Sequence, residues 1–480
     1  MSEPNNLIVL AATVAYMVAL SLISVYALRY SRSASSYTSG TGHGGKAIPA
    51  FLIGLLLMSE FIGTTASVGT AQYGYQFGIS AGWNVAVLGI GFLVFSFLLA
   101  RKYKELGENT ISGVLSSVYG PRVKVATSVI MIFALQIVAV STLASASAVL
   151  APLLEIDRQL AIVVVGVLAS LYVGIGGMRS VIYTNVIHGV VIIGGIFLAM
   201  SFGLVQVGGL SGLNAAVPPE FWSLTNVGWS QIIAWLVAGA GATFATQYVI
   251  QAIATVEDGN KARVATIWSS VMLIPLGFAA AMIGVIASVL YPGIESLQAF
   301  PTLIGDMNTF LASLVVAGLA AAAFGTISAL NIGSATLMLK DFYMPMTGRT
   351  AADPKSLRFV RVMTVMVGLI PLLLALVAAD VVKVTFLAKA LRAALAVLVF
   401  MAFYSPRFGT RTGAIVSIGL ALVGTIGWFL AGNPWGIDNA YVALCVPLVV
   451  MTISHLFRGA QADAVPAAGS GGGVSGPGAR

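Results

Sequence analysis

Long apolar segments recur along the whole chain, and short polar or glycine-containing connections separate them. About thirteen of these segments reach the roughly 20 residues that a helix needs to cross a bilayer. We therefore predict an all-α polytopic membrane protein with about 13 transmembrane helices. The predicted spans lie near residues 6–29, 47–73, 81–102, 122–152, 159–178, 180–207, 229–254, 262–291, 307–340, 358–380, 384–404, 409–431 and 437–457.

The segment 317–343 departs most clearly from a purely apolar span. Thr326, Ser328 and Asn331 lie inside it near helical spacing, so they can share one side of the helix. A helix facing only lipid would not need these groups, and this side is expected to face a packed or solvated interior. The alternative is that the hydroxyls bond to their own helix and tighten helix packing.

Glycines interrupt the second predicted span at positions 63, 69, 74 and 78, and hydroxyl residues lie between them. Glycine lowers the free-energy cost of leaving the helix. Transporters use such breaks to aim carbonyl oxygens and helix ends at ions and solutes. Close helix packing through small residues would explain some of the glycines, but not the density of hydroxyls.

Composition excludes a soluble globular protein, because 58% of the 480 residues are hydrophobic and only 8% are charged. The net charge of +8 is explained by topology instead of nucleic-acid binding. With the N-terminus outside, most Lys and Arg residues fall in loops that then face the cytoplasm, as does the C-terminus. The Gly- and Ala-rich tail 459–480 is predicted to be disordered.

Three charged residues are expected at membrane depth, where an unpaired charge is unfavourable. Glu60 lies beside the glycine break and is a candidate for solute or cation contact, or else a structural acid. Lys389 and Arg392 share one face of the eleventh span and could hold a carboxylate or neutralise Glu60. The alternative for this pair is extension of the side chains to the outer surface. Further solute-binding candidates are the neutral residues Thr64, Gln72, Gln136 and Gln247, although bonding between helices is the commoner role for such amides.

Other functional classes fit the chain less well. A channel would need a continuous polar pore, whereas the polar residues here gather at interrupted helices. An enzyme would need a nucleophile with a base or a metal cluster, but the three histidines are far apart and Cys445 has no base nearby. A solute sensor derived from a transporter stays open, although the short tail carries no signalling module.

Four stretches together resemble the sodium/solute symporter family, which includes bacterial proline, pantothenate and sugar carriers. They are the broken segment 60–80, the segment 174–195 with GIGGMRSVIYTNVIHG, the segment 317–343 ending in DFY, and the basic turn and glycines of 404–424. The resemblance implies a LeuT-like fold with two inverted five-helix repeats. On this mapping residues 1–458 form one transporter domain, with a first repeat near 47–178 and a second near 179–404. The flanking helices are 6–29, 409–431 and 437–457.

The resemblance also implies alternating access driven by an ion gradient. Family members hold sodium with carbonyls of the first core helix, which map to Ile53 and Leu56 here. The eighth core helix supplies Ala322, Gly325 and Thr326. Thr326 and carbonyl oxygens are hard ligands of the kind that sodium requires.

The chain departs from the family pattern at three of its positions. Gly325 replaces the first hydroxyl of a Ser-Thr pair, Asn185 replaces an aspartate, and His188 replaces a glutamine. Loss of a hydroxyl and a carboxylate should weaken a sodium site, although the Asn185 amide still offers an oxygen. Because histidine titrates near neutral pH, coupling to protons through His188 is the alternative; a packed histidine without that role, or a transporter without ion coupling, also stays open.

The sequence thus predicts a symporter in the bacterial inner membrane that imports a small organic solute with sodium, and it slightly favours a carboxylate or other anion. Its partners are the solute and the lipid bilayer. We expect neither nucleic acid nor an obligate protein partner, and no enzyme activity.

Overall fold

The computed structural model describes residues 3–39, 47–154, 156–376 and 381–457, and the predicted disordered tail lies outside these ranges. Helices make up nearly all of this part of the chain. The first ten are α1 (Glu3–Ala27), α2 (Ala34–Ser39), α3 (Ala50–Phe61), α4 (Thr64–Phe77), α5 (Trp83–Leu98), α6 (Ala100–Leu106), α7 (Ile111–Tyr119), α8 (Arg122–Leu154), α9 (Arg158–Gln206) and α10 (Gly209–Ala216). The others are α11 (Trp229–Ala245), α12 (Gln247–Ala254), α13 (Gly259–Leu290), α14 (Ala299–Gly305), α15 (Thr309–Leu337), α16 (Met344–Thr347), α17 (Pro354–Ala375), α18 (Val381–Tyr404), α19 (Arg411–Leu430) and α20 (Asn439–Leu456).

Polar caps mark where several of the long helices begin. Asp258 accepts a hydrogen bond from the Lys261 amide at 2.8 Å before α13, and Asn308 accepts one from the Leu311 amide at 3.0 Å before α15. A side-chain acceptor at this place satisfies amides that the first helical turn leaves without a partner. These two spans therefore begin where the sequence supplies Asp or Asn.

The second predicted span is broken, as the glycines indicated. Helix α3 ends at Phe61, and α4 begins at Thr64 after Ile62 and Gly63. Residues on both sides of the break are buried. The break therefore lies inside the protein, where unwound backbone is tolerated.

A second broken helix begins at Trp229. Helices α11 and α12 form one bent pair, with an angle of 44° between them at Thr246. The expected second repeat begins near Arg179, well before this helix. A boundary at Trp229 would give each repeat a broken helix at its start.

The two predicted spans 159–178 and 180–207 form one helical run, α9, which contains a kink at Gly177 with φ 69°. This positive φ favours glycine, because a side chain would be strained there. The kink explains why the sequence indicated two spans at this position.

Within the described residues, ten helices are long and apolar enough to cross a membrane, with the bent α11–α12 pair as an eleventh. The shorter apolar segments Ala50–Phe61 and Arg158–Leu171 also belong to predicted spans. The all-α polytopic fold class is confirmed, and the number of thirteen spans stays a prediction. The most continuously buried helix of the described part of the chain is α15, which packs against α1, α3, α8, α9 and α17.

Candidate functional site

A small internal cavity lies where both broken helices meet α15 and α18. Its volume is about 40 Å³, room for only a few water molecules at roughly 10–15 Å³ each. Residues from α3, α4, α5, α8, α12, α15 and α18, together with Gly63 at the first break, line it. The cavity brings together Glu60, Thr326, Lys389 and Arg392, which lie far apart in the sequence.

Thr326 packs directly against the first helix break. A Cβ built on Gly63 would lie 2.6 Å from the Thr326 hydroxyl oxygen. Thr326 is only 4% exposed, and its hydroxyl has no hydrogen-bond partner in the described part of the chain. Gly63 therefore allows this hydroxyl to approach the unwound backbone, and the hydroxyl remains available to a ligand.

Glu60 lies in the last turn of α3 and is 4% exposed. Its Oε1 accepts a hydrogen bond of 2.6 Å from the Asn185 amide nitrogen on α9. Its Oε2 is buried and, among the described residues, has no partner. One carboxylate oxygen is thus fixed by α9, while the other is left for a ligand.

The three departures from the family pattern lie in contact. A Cβ on Gly325 would overlap the Asn185 Oδ1 atom and would come within 2.9 Å of His188. His188 is fully buried, and its Nδ1 lies 3.3 Å from the hydroxyl of Tyr16 on α1. Asn185 and His188 therefore occupy space that a side chain at position 325 would fill.

One face of α18 forms the opposite wall, with Val382, Thr385, Lys389 and Arg392 at helical spacing. Lys389 is 5% exposed, and its ammonium lies 3.9 Å from the centre of the Phe386 ring. Phe386 in turn stacks on Trp235 of α11. Neither Lys389 nor Arg392 has a carboxylate within ion-pair distance in the described ranges.

Arg392 connects α18 to the second helix break. Its guanidinium donates a hydrogen bond of 2.9 Å to the hydroxyl of Thr246, the residue between α11 and α12. It also donates to the Ala388 carbonyl at 3.1 Å and is hydrogen-bonded to Tyr248. Sequence reasoning missed Thr246, because no Gly or Pro marks that break. Thr385 could have been found from its helical spacing to Lys389.

The neutral candidates lie outside the cavity lining. Gln247 accepts from the Ile111 amide and donates to the Asn109 carbonyl, each at 3.0 Å, so it holds α12 against the start of α7. Gln136 donates to the Ser334 hydroxyl at 3.1 Å, which connects α8 to α15. Thr64 begins α4 with its hydroxyl buried and without a partner among the described residues, and Gln72 lies about two turns further along that helix.

The residues that the family resemblance assigns to sodium binding differ in how well they suit an ion. The free, buried hydroxyl of Thr326 suits a hard cation, and Ala322 and Gly325 lie on the same helix within about one turn. Ile53 and Leu56 instead lie inside the continuous helix α3, where carbonyls are engaged by amides four residues later. The Leu56 carbonyl also accepts from the Ser59 hydroxyl at 3.0 Å. The residues on α15 therefore fit sodium better than those on α3.

Comparison with known proteins identifies the family of the chain. The sodium:solute symporter family model matches residues 43–421, which is most of the chain.

Solved structures of transporters share the fold. The chain is similar to a sodium-coupled sialic acid symporter in a substrate-bound, outward-open state, with TM-score 0.79, 19% identity, and coverage of 94% of this chain and 98% of that one. It is also similar to Mhp1, a nucleobase-cation-symport-1 family transporter. The inward-facing form gives TM-score 0.57 and 16% identity over 86% of this chain and 91% of that one. The closed form gives 0.57 and 15% over 87% and 95%. These likenesses confirm the LeuT-like fold.

Proposed function

Because the chain belongs to the sodium:solute symporter family, we propose that it moves a small organic anion, in particular a carboxylate, together with sodium. The observation that carries the anion preference is the pair Lys389 and Arg392, both buried and both without a carboxylate within ion-pair distance in the described part of the chain.

A buried cation without a counter-ion is unfavourable, because burial removes it from water. Phe386 and the bonds to Thr246 and Tyr248 compensate only in part, since none of them carries a full negative charge. A solute carboxylate would supply that charge, and guanidinium and ammonium groups are its usual partners.

The dimensions of the cavity favour a short solute. A volume of about 40 Å³ holds only a few water molecules, so the helices must separate to admit any solute, and a short solute requires the least separation. The aromatic side chains of Phe61 and Tyr248 line it beside the charged groups. A carboxylate with a few carbon atoms would place its charge at α18 and its carbon atoms against these rings.

Thr326 and the helix break support sodium as the coupling ion. A small cation bound there would connect α15 to the broken first core helix, whose halves must move relative to the rest in alternating access. We propose that transport is inward across a bacterial plasma membrane, with the N-terminus outside and the C-terminus in the cytoplasm, as the distribution of Lys and Arg indicates.

The test is uptake into proteoliposomes under an imposed sodium gradient. Labelled acetate, lactate and pyruvate are compared with acetamide and lactamide, which match two of these acids in shape but carry no charge. We expect uptake of at least one acid and of neither amide, and we expect Lys389→Gln to abolish it. Lys383→Gln is the matched control, because Lys383 is exposed on the same helix. Uptake of the amides, or full activity of Lys389→Gln, would contradict an anion site at α18.

One observation favours proton coupling as a second candidate. His188 is buried beside Gly325, and its Nε2 has no partner among the described residues. Uptake driven by a pH gradient without sodium, and lost in His188→Gln, would establish that candidate in place of sodium.

A further inference from the structure

A cleft of about 650 Å³ lies just beyond the C-terminal end of α1, and none of its lining residues belongs to the solute cavity. Its lining consists of Arg29, Tyr30, Arg32, Ser33 and Ser36. Arg29 and Arg32 are exposed, and neither has a carboxylate within ion-pair distance among the described residues. The cleft therefore presents two positive charges that the described part of the chain does not neutralise.

Arginines from two other helices add to the positive charge at this cleft. The Arg29 guanidinium carbon lies 4.8 Å from the centre of the Tyr30 ring, and that of Arg179 on α9 lies 4.2 Å from the same centre. Arg361 on α17 donates a hydrogen bond of 3.1 Å to the carbonyl of Ser31, the residue after Tyr30. Basic residues at the ends of spans set topology, but topology does not require them to converge on one ring. Because like charges repel, this convergence favours a bound anion.

The Arg29 side chain is held in place before any ligand binds. Its guanidinium carbon lies 3.5 Å from the centre of the Tyr26 ring, and Tyr26 meets Tyr30 edge-on with 6.4 Å between ring centres. Cation–π contacts of this kind fix the planar guanidinium, which can form two parallel hydrogen bonds to a phosphate. The hydroxyls of Ser33 and Ser36 lie 3.0 Å apart in the same cleft and can donate to further phosphate oxygens.

An exposed apolar stripe of α1 leads to the cleft. Leu22, Val25 and Tyr26 are exposed, and they lie near helical spacing with Arg29. The apolar span that contains them is Ala11–Tyr30, so the cleft lies where the hydrocarbon meets the head groups. A phospholipid would place an acyl chain along this stripe and its phosphate in the cleft, whereas a soluble phosphate would use the cleft alone.

We propose that Arg29 and Arg32, with Arg179 beside them, bind the phosphate of an anionic phospholipid. Basic clefts between membrane spans are known to suit such head groups. A zwitterionic lipid binds less well, because its ammonium group is repelled by the same guanidiniums. The site does not depend on which solute or which coupling ion the protein carries.

The cleft is attached to the kink of α9. The Ser31 hydroxyl donates a hydrogen bond of 2.8 Å to the carbonyl of Gly176, directly before the kink at Gly177. A lipid bound at Arg29 and Arg179 therefore joins the end of α1 to this kink. Since such a ligand binds the folded protein, it should raise the melting temperature by mass action.

The experiment compares two lipids with identical oleoyl chains, phosphatidylglycerol and phosphatidylcholine, added to the purified full-length protein in detergent. Native mass spectrometry gives the apparent affinity of each lipid, and the melting temperature is recorded in parallel. We expect phosphatidylglycerol to bind more tightly and to raise the melting temperature. The Arg29→Gln/Arg32→Gln double variant should lose about fivefold in phosphatidylglycerol affinity for each arginine, roughly thirtyfold in all.

Arg122→Gln is the matched control, because Arg122 is an exposed arginine at the start of α8, away from the cleft. Its affinity for phosphatidylglycerol should equal that of the parent. Equal binding of the two lipids, an unchanged affinity in the double variant, or an equal loss in Arg122→Gln would overturn the site. Millimolar inorganic phosphate that raises the melting temperature as much as the lipid, through the same arginines, would overturn the lipid as ligand. Should the double variant not fold, Arg32→Gln alone decides, with an expected loss of about fivefold.

Discussion

The side-chain oxygen of Asn185 lies where a Cβ of residue 325 would be, so Gly325 is what allows Asn185 to reach Glu60. The departures from the family pattern at Gly325 and Asn185 are therefore coupled in the structure. Without a side chain at position 325, α9 can place an amide beside the carboxylate of α3.

Gly325→Ala should displace Asn185 and break its bond to Glu60. Overpacking of this kind destabilises by roughly 1–3 kcal/mol, and we expect a loss of that size in thermal or chemical unfolding. The matched control is Gly194→Ala on α9, where a Cβ would meet nothing within 4 Å and stability should not fall.

A double-mutant cycle distinguishes this contact from a general effect on α15. Gly325→Ala with Asn185→Ala should cost less than the sum of the two single changes, because the second removes the atom that clashes. Additive losses would mean that Asn185 and Gly325 are not coupled in the folded protein.

Gly63→Ala should place a methyl group against the Thr326 hydroxyl, 2.6 Å away. We expect reduced stability and loss of the sodium response. Adding Thr326→Ala should restore the melting temperature but not the response to sodium. The second change makes room for the new methyl group, but it also removes the hydroxyl that binds the ion. A response to sodium in that double variant would show that the hydroxyl is not a ligand.

Gln247→Leu tests whether the predicted solute contact is structural. Removing this amide leaves the Ile111 amide and the Asn109 carbonyl without their partner, and leaving buried groups unsatisfied costs about 1–3 kcal/mol each. We expect a lower melting temperature and an unchanged apparent affinity for the solute in uptake assays. A change in the apparent affinity for the solute, with an unchanged melting temperature, would indicate that Gln247 contacts the solute.

Arg392→Lys should weaken anion binding by about tenfold although the charge is kept. A lysine offers no planar fork and cannot hold Thr246, Tyr248 and a carboxylate together. The measurement is the shift in melting temperature with each carboxylate. An Arg392→Lys variant that binds the solute as tightly as the parent would indicate that the guanidinium acts only within the protein.

The sequence predicted much of the fold because bilayer thickness fixes the length of an apolar helix, and the glycines of the second span marked the first break. The second break, at Thr246, has no such signal. Its position depends on contacts such as that with Arg392, more than a hundred residues away, and helical periodicity does not contain that information.

The candidate site was predictable to the extent that helical spacing determines it. Lys389 and Arg392 were placed on one face because they are three residues apart, and the structure puts both on the cavity wall. Gln136 and Gln247 were candidates for the same reason as Glu60, because each is a polar residue inside an apolar span. Their hydrogen-bond partners depend on how the helices pack, which the sequence pattern does not show. The adjacency of Asn185, His188 and Gly325 likewise follows from how α9 packs on α15.

The Arg392 guanidinium donates a hydrogen bond to Thr246, so it already has a partner before any solute binds. Loading an anion would then be an exchange of partners, in which the junction of α11 and α12 is released as the carboxylate is taken up. Part of the binding free energy would be used to release that junction. A weak apparent affinity would therefore be compatible with strong contacts between the guanidinium and the solute. The same exchange would let the empty and loaded forms differ in the freedom of the second broken helix to bend.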